Sequence, residues 1–167
     1  IALLAICFLL SVHAGYAQYG KVTVKATNIF VGASDTLFAT SDFHFTSGST
    51  IINQGAMVGN GAWKNFGTFQ ERTGIVIMGG NGSDCMQGTS IFNDLTIDKG
   101  SGTLDINTSG DGGDQKVYGV LTLKSGTFDV SGSLGGPDSL FLLSDDLGTA
   151  RIAEVTGGTF NGNFTMQ

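Results

Sequence analysis

One short phrase occurs four times in this chain: Gly67-Thr68-Phe69, Gly102-Thr103-Leu104, Gly126-Thr127-Phe128 and Gly158-Thr159-Phe160. Each places a turn-compatible glycine before a pair of residues suited to a strand. The copies begin 35, 24 and 32 residues apart, within the periods at which solenoids and other stacked arrays repeat. Two copies extend into a longer match, Gly102-Thr-Leu-Asp-Ile106 with Gly126-Thr-Phe-Asp-Val130. In a stacked coil such equivalents lie one above the other, each covering the core face of the last. The expected fold is therefore all-β, a parallel β-helix or β-solenoid with irregular coils, and a β-sandwich is the alternative. The 24-residue step reads as one clean coil, and the 35- and 32-residue steps as places with extra strands or loops.

Short apolar alternations support strands throughout: Val22 and Val24, Phe43 and Phe45, Ile75 and Ile77, Leu95 and Ile97, Leu104 and Ile106, Leu121 and Leu123, Phe128 and Val130, Leu140 and Leu142. Each pair is expected to face a core while the residues between meet water. Turn clusters of Gly, Ser, Asn and Asp separate them, and no stretch carries a helical stripe. Phe66, Phe69, Phe92, Phe128 and Phe160 are expected to line the interior in stacks.

The first stretch, Ile1 to Val12, is apolar apart from Ser11, and Gly15-Tyr16-Ala17 follows with small residues where a signal peptidase looks. It reads as a secretory leader cut after Ala17 and too short to span a membrane. The start lacks a Met and a basic segment, so the first few residues are expected to be missing. Residues 18–62 are then expected to be an N-terminal β region that caps the solenoid. Residues 63–167 are expected to be its repeat region, continuing in the full protein beyond Gln167. Ile6 before Cys7 is too bulky for lipoprotein processing, and Cys85 is left alone after cleavage, so stability must come from packing and backbone ladders.

The net charge is −6, with 8 basic against 14 acidic residues, only 13% of residues charged and 27 glycines. This composition fits an all-β chain rich in turns. It disfavours nucleic acid, which demands clustered basic residues, and anionic membrane surfaces.

Several longer runs carry a family resemblance. Trp63-Lys-Asn-Phe-Gly-Thr-Phe69, Gly74-Ile-Val-Ile-Met-Gly79, Met86-Gln-Gly88, Phe92-Asn-Asp-Leu-Thr-Ile97 and Gly119-Val-Leu-Thr-Leu-Lys-Ser-Gly-Thr-Phe128 together resemble the repeat region of large secreted bacterial surface proteins. Leu142 to Ala153, Val155 to Gly158 and Gly162 to Thr165 are similar to the segment that closes such repeats. The resemblance implies an adhesin-like parallel β-helix of the kind that often precedes a type IX secretion sorting domain.

Few residues suggest chemistry. Gly79-Gly-Asn-Gly-Ser-Asp-Cys-Met-Gln87 fits the calcium nonapeptide G-G-x-G-x-D-x-U-x, in which turn carbonyls and Asp84 would meet a second such turn one repeat away. The next nine residues lack that second turn, and an isolated Gly-Asn-Gly turn is common without metal. Asp111 and Asp114 are the paired carboxylates that a polysaccharide-cleaving enzyme could use, with Lys116 the nearby cation, and Asp145-Asp146 is the other acidic pair. The more economical reading makes Asp111 and Asp114 solvated residues of a loop from Thr108 to Gln115. His44, flanked by Phe43 and Phe45, is expected on the solvent face. Asn81, Asn107 and Asn163 open glycosylation sequons.

The sequence thus leads to an exported structural or adhesive β-solenoid segment without catalytic activity, cofactor or metal site. Extracellular polysaccharide or another cell-surface ligand is the expected partner, and the oligomeric state is open. The alternative is a carbohydrate-active β-helix enzyme or a polysaccharide-binding module.

Overall fold

A computed structural model describes residues 20–70, 72–106, 113–131, 139–144, 149–153 and 155–167. The expected leader, Ile1–Ala17, lies outside them, as do Asn107, Asp111, Asp145 and Asp146. The described chain is all-β and winds as a parallel solenoid of about 6 turns.

Each coil contributes three short strands, one to each of three faces. The first coil is β1 (Val22–Val24), β2 (Asn28–Val31) and β3 (Thr36–Ala39); the second is β4 (Phe43–Phe45), β5 (Thr50–Asn53) and β6 (Ala56–Gly59). The third is β7 (Trp63–Asn65), β8 (Thr68–Gln70) and β9 (Ile75–Met78). Thereafter some strands run through a corner: β10 (Asp84–Gln87), β11 (Ser90–Phe92), β12 (Asp94–Ile106), β13 (Gln115–Val117) and β14 (Val120–Val130). The last elements are β15 (Leu140–Leu142), β16 (Arg151–Ile152), β17 (Gly158–Gly162) and β18 (Phe164–Met166).

Face one stacks β1, β4, β7, β10, the second half of β12, the second half of β14, and β17. Face two stacks β2, β5 and β8 in one sheet and β11, β13, β15 and β18 in another. Face three stacks β3, β6, β9, the first halves of β12 and β14, and β16. Because β12 and β14 bend through the corner without a break, faces one and three belong to one 11-stranded sheet. The ladder is already regular at β1 and crosses residues 62–63 without interruption, through the Phe43 N–H donating to the Ala62 carbonyl at 2.9 Å.

The core is the space inside the coils, filled by alternate side chains. Phe43, Phe45, Trp63, Phe69 and Phe92 form an aromatic cluster, with Trp63 at 5.1 Å from both Phe45 and Phe69 and 5.4 Å from Phe92 between ring centroids. The Trp63 indole N–H, buried with the ring, donates to the Ser90 hydroxyl at 2.9 Å. Toward the other end Leu104, Phe128 and Phe160 stack in one column, the last two at 6.1 Å edge to face.

The longer repeat match is a stacked pair. Thr103, Leu104 and Asp105 lie opposite Thr127, Phe128 and Asp129, and Thr127 and Phe128 lie in turn opposite Thr159 and Phe160. The 32-residue step is therefore one coil. Gly126 shows what its glycine does: its φ is +76°, and a Cβ there would stand 2.7 Å from the Gly102 carbonyl oxygen in the coil before.

Three expectations are corrected. The Gly67 copy lies on face two, at the start of β8, whereas the other three lie on face one, so the 35-residue step does not connect equivalent positions. Ile75 and Ile77 point outward and Val76 and Met78 fill the core. The run Ile-Val-Ile-Met is apolar in both phases, and the ladder opposite buried Met57 and Leu95 chooses between them. Phe66 is 40% exposed; it follows inward-facing Asn65, so alternation turns it outward against the His44 ring at 5.9 Å.

Trp63 joins the aromatic cluster across neighbouring coils. Trp63→Ala is expected to cost about 3–5 kcal/mol, seen as a lower urea midpoint by circular dichroism.

Candidate functional site

The outer surface of face one carries polar and ionisable groups in columns, because parallel stacking sets equivalent outward residues one strand spacing apart, about 4.8 Å. Over coils one to three the groups are basic and aromatic. Thr23, His44 and Lys64 stand in one column, with exposed Lys21 and Lys25 on either side of Thr23 and Phe66 beside His44. In the fourth coil Gln87 stands opposite Lys64, and the column two residues before it holds Cys85, Asp105, Asp129 and Asn161, alongside Thr103, Thr127 and Thr159.

The two zones have opposite electrostatics. His44 is held below its ordinary value of 6.5 first by burial and then by Lys21 and Lys64, with Asp42 opposing and Lys25 adding to the effect. Burial pushes the Asp105 carboxyl up from its ordinary range, and the charge of Asp129 one coil away adds to this. Burial also raises Asp129, but hydrogen bonds from Ser131 and Asn161 outweigh it and leave the carboxyl below its usual value. The Asn161 amide donates to Asp129 at 2.9 Å.

A groove of about 460 Å³ opens where the zones meet, lined by Asp42, Ser83, Asp84, Cys85, Thr103 and Asp105. Asp84 occupies an inward column, opposite Leu104, and its position is explained by Lys99. Lys99 continues the inward phase of Leu95 and Ile97 and is 0% exposed. Its ammonium donates to the Asp84 carboxylate at 2.5 Å and to the Gly79 carbonyl at 2.6 Å. Asp84 and a carbonyl of the Gly79 turn are the donors that the calcium nonapeptide would use, and here an internal cation from the next coil takes both. Among the described residues no group of three or more His, Cys, Asp or Glu side chains is placed to hold a metal ion.

The other candidates among the described residues are dispersed. Asp114 ends its loop, and its carbonyl accepts from the Ser90 N–H at 3.2 Å. Asp111 and the Asp145-Asp146 pair fall outside the described residues. Gln115, expected in that loop, is instead a buried residue of β13, its side-chain amide donating to the Gly88 and Gly113 carbonyls at 2.7 and 2.8 Å. The Lys116 ammonium lies over the Phe141 ring, 5.6 Å from the centroid. Cys85 is half-buried on the outer face. Asn81 and Asn163 are exposed.

Sequence reasoning overlooked Lys99 and the basic zone. The phase of Leu95, Ile97 and Lys99 was a usable signal for the first. The second is assembled from three coils about 20 residues apart and has no linear trace. Comparison with family models, with curated proteins and with solved structures finds no match.

Two substitutions check this description. Lys99→Met removes the cation but leaves a carboxylate that is only 22% exposed; a loss of about 3 kcal/mol is expected, with partial recovery in the Lys99→Met/Asp84→Asn double variant, measured by urea unfolding. Asp105→Asn is expected to stabilise the protein at neutral pH. Because the folded carboxyl titrates above the unfolded one, its charge costs stability as pH rises through the raised value. The advantage of the variant should therefore shrink as pH falls through that value, which melting temperatures across a pH series will show.

Proposed function

We propose that this chain is an exported structural or adhesive β-solenoid segment of a bacterial cell-surface or extracellular protein, acting by binding rather than by catalysis. The observation that supports this reading is the pair of outward columns on face one, Thr103, Thr127 and Thr159 beside Asp105, Asp129 and Asn161, repeated coil after coil. Such a surface suits a repeating ligand, because each coil offers one weak contact and many contacts add through proximity. Extracellular polysaccharide is the ligand class with the matching periodic hydroxyl chemistry. The apolar leader and the resemblance of residues 63–130 to secreted repeat regions, including those that end in a type IX sorting domain, support export.

A carbohydrate-active enzyme is the second reading, favoured only by the groove and its carboxylates at Asp42, Asp84 and Asp105. Asp84 is already engaged by Lys99. Incubation with acidic and neutral polysaccharides, with and without calcium, separates the readings. Retention on insoluble glycan without new reducing or unsaturated ends is expected, whereas new ends would replace the adhesive reading with the enzymatic one.

A further inference from the structure

The net charge of −6 conceals a division along the solenoid. Residues 20–72 hold Lys21, Lys25, Lys64 and Arg72 against Asp35, Asp42 and Glu71, while the remaining basic residues beyond them face eleven of the 14 acidic ones. Three of those four cations lie on the outer surface of face one, and none of the three forms an ion pair with another described residue. Asp42, the acid among them, is engaged by the fold itself: its carboxylate accepts from the Ala62 N–H at 3.0 Å and from the Ser41 hydroxyl at 3.3 Å.

We propose that this basic, aromatic-edged zone of Lys21, Lys25, His44, Lys64 and Phe66 binds a single anionic polysaccharide chain, carboxylated or sulfated, running along the strands. The assignment rests on the adhesive reading above and names its ligand class.

The dimensions select the occupant. Lys21 and Lys25 are four residues apart on extended backbone, about 13 Å, and Lys64 is two coils away, about 10 Å. That area holds a few sugar units of one thin chain. A chain along the strands stays within reach of all three ammonium groups. Turned along the solenoid axis, it would run onto Asp105 and Asp129 within a few coils. A membrane surface or a nucleic-acid duplex, wider than three coils, meets those carboxylates in any orientation. Phe66, exposed beside the cations, offers a flat apolar surface to a sugar ring, as His44 does when neutral. Protonation of His44 adds a fourth positive charge among Lys21, Lys25 and Lys64, with Asp42 the acid that faces it among the described residues.

The test uses the whole chain and biolayer interferometry on immobilised polygalacturonate, dextran sulfate, neutral dextran and single-stranded oligo(dT). Binding to one or both anionic glycans is expected, with polygalacturonate and dextran sulfate separating carboxylate from sulfate preference. It should weaken at least about tenfold between about 0.01 M and about 0.15 M salt, as exposed charges are screened. The Lys21→Ser/Lys25→Ser/Lys64→Ser variant, altered only at exposed or half-exposed positions, should lose about tenfold or more at low salt while keeping its circular dichroism spectrum. Lys116→Ser/Lys124→Ser, elsewhere on the surface, should lose little. Binding should tighten from about pH 7 to about pH 5 in the parent and not in His44→Asn. Undiminished binding by the triple variant overturns the proposal, and oligo(dT) bound as tightly as either glycan transfers the zone to nucleic acid. Retention of neutral glycan alone removes this inference and leaves the adhesive reading standing; retention of no glycan removes both.

Discussion

Every coil of this protein is held by backbone hydrogen bonds to the coils above and below, and that ladder decides where each side chain goes. Parallel pairing sets Val22, Phe43 and Trp63 in one column and Leu104, Phe128 and Phe160 in another. A side chain that points inward in one coil therefore has an inward neighbour one strand spacing away, and outward neighbours are equally obliged to match. Length is unconstrained only at corners. The coil from Phe128 to Phe160 takes 32 residues where that from Phe43 to Trp63 takes 20, yet both close in register.

This explains which features could be read from the chain. The pairing of Gly102–Ile106 with Gly126–Val130 was legible because five consecutive positions agree, and a shared strand phase leaves one way to stack them. Leu95 and Ile97 were legible because their neighbours Asp94, Thr96 and Asp98 are polar and leave no second phase. Ile75 and Ile77 were not, since Ile-Val-Ile-Met satisfies either phase locally and the choice belongs to Met57 and Leu95 in other coils. Gly67-Thr68-Phe69 has the right letters on the wrong face, for the phrase records a strand start and not which of three faces it serves.

The charges repeat the lesson on a larger scale. A summed charge of −6 is the difference between a first zone close to neutral and a strongly acidic remainder, and the fold turns that linear gradient into two patches on one flat surface. The consequences are visible in individual groups, with His44 depressed partly by neighbouring lysines and Asp105 raised partly by Asp129. A sequence-wide average could exclude a protein that is basic throughout. It could not detect three lysines brought together by stacking.

The buried pair of Lys99 and Asp84 has a consequence for how such a chain finds its threading. Coils built from similar β residues are nearly interchangeable, so during folding a strand can dock one coil too early or too late with little loss of apolar contact. Lys99 has no interchangeable partner: displaced by one coil, its ammonium would be enclosed without the Asp84 carboxylate and the Gly79 carbonyl, a cost that few misaligned arrangements could tolerate. Lys99, the one fully buried charged side chain among the described residues, thus serves as a proofreading mark, rejecting mistaken alignments that the hydrophobic residues by themselves would accept.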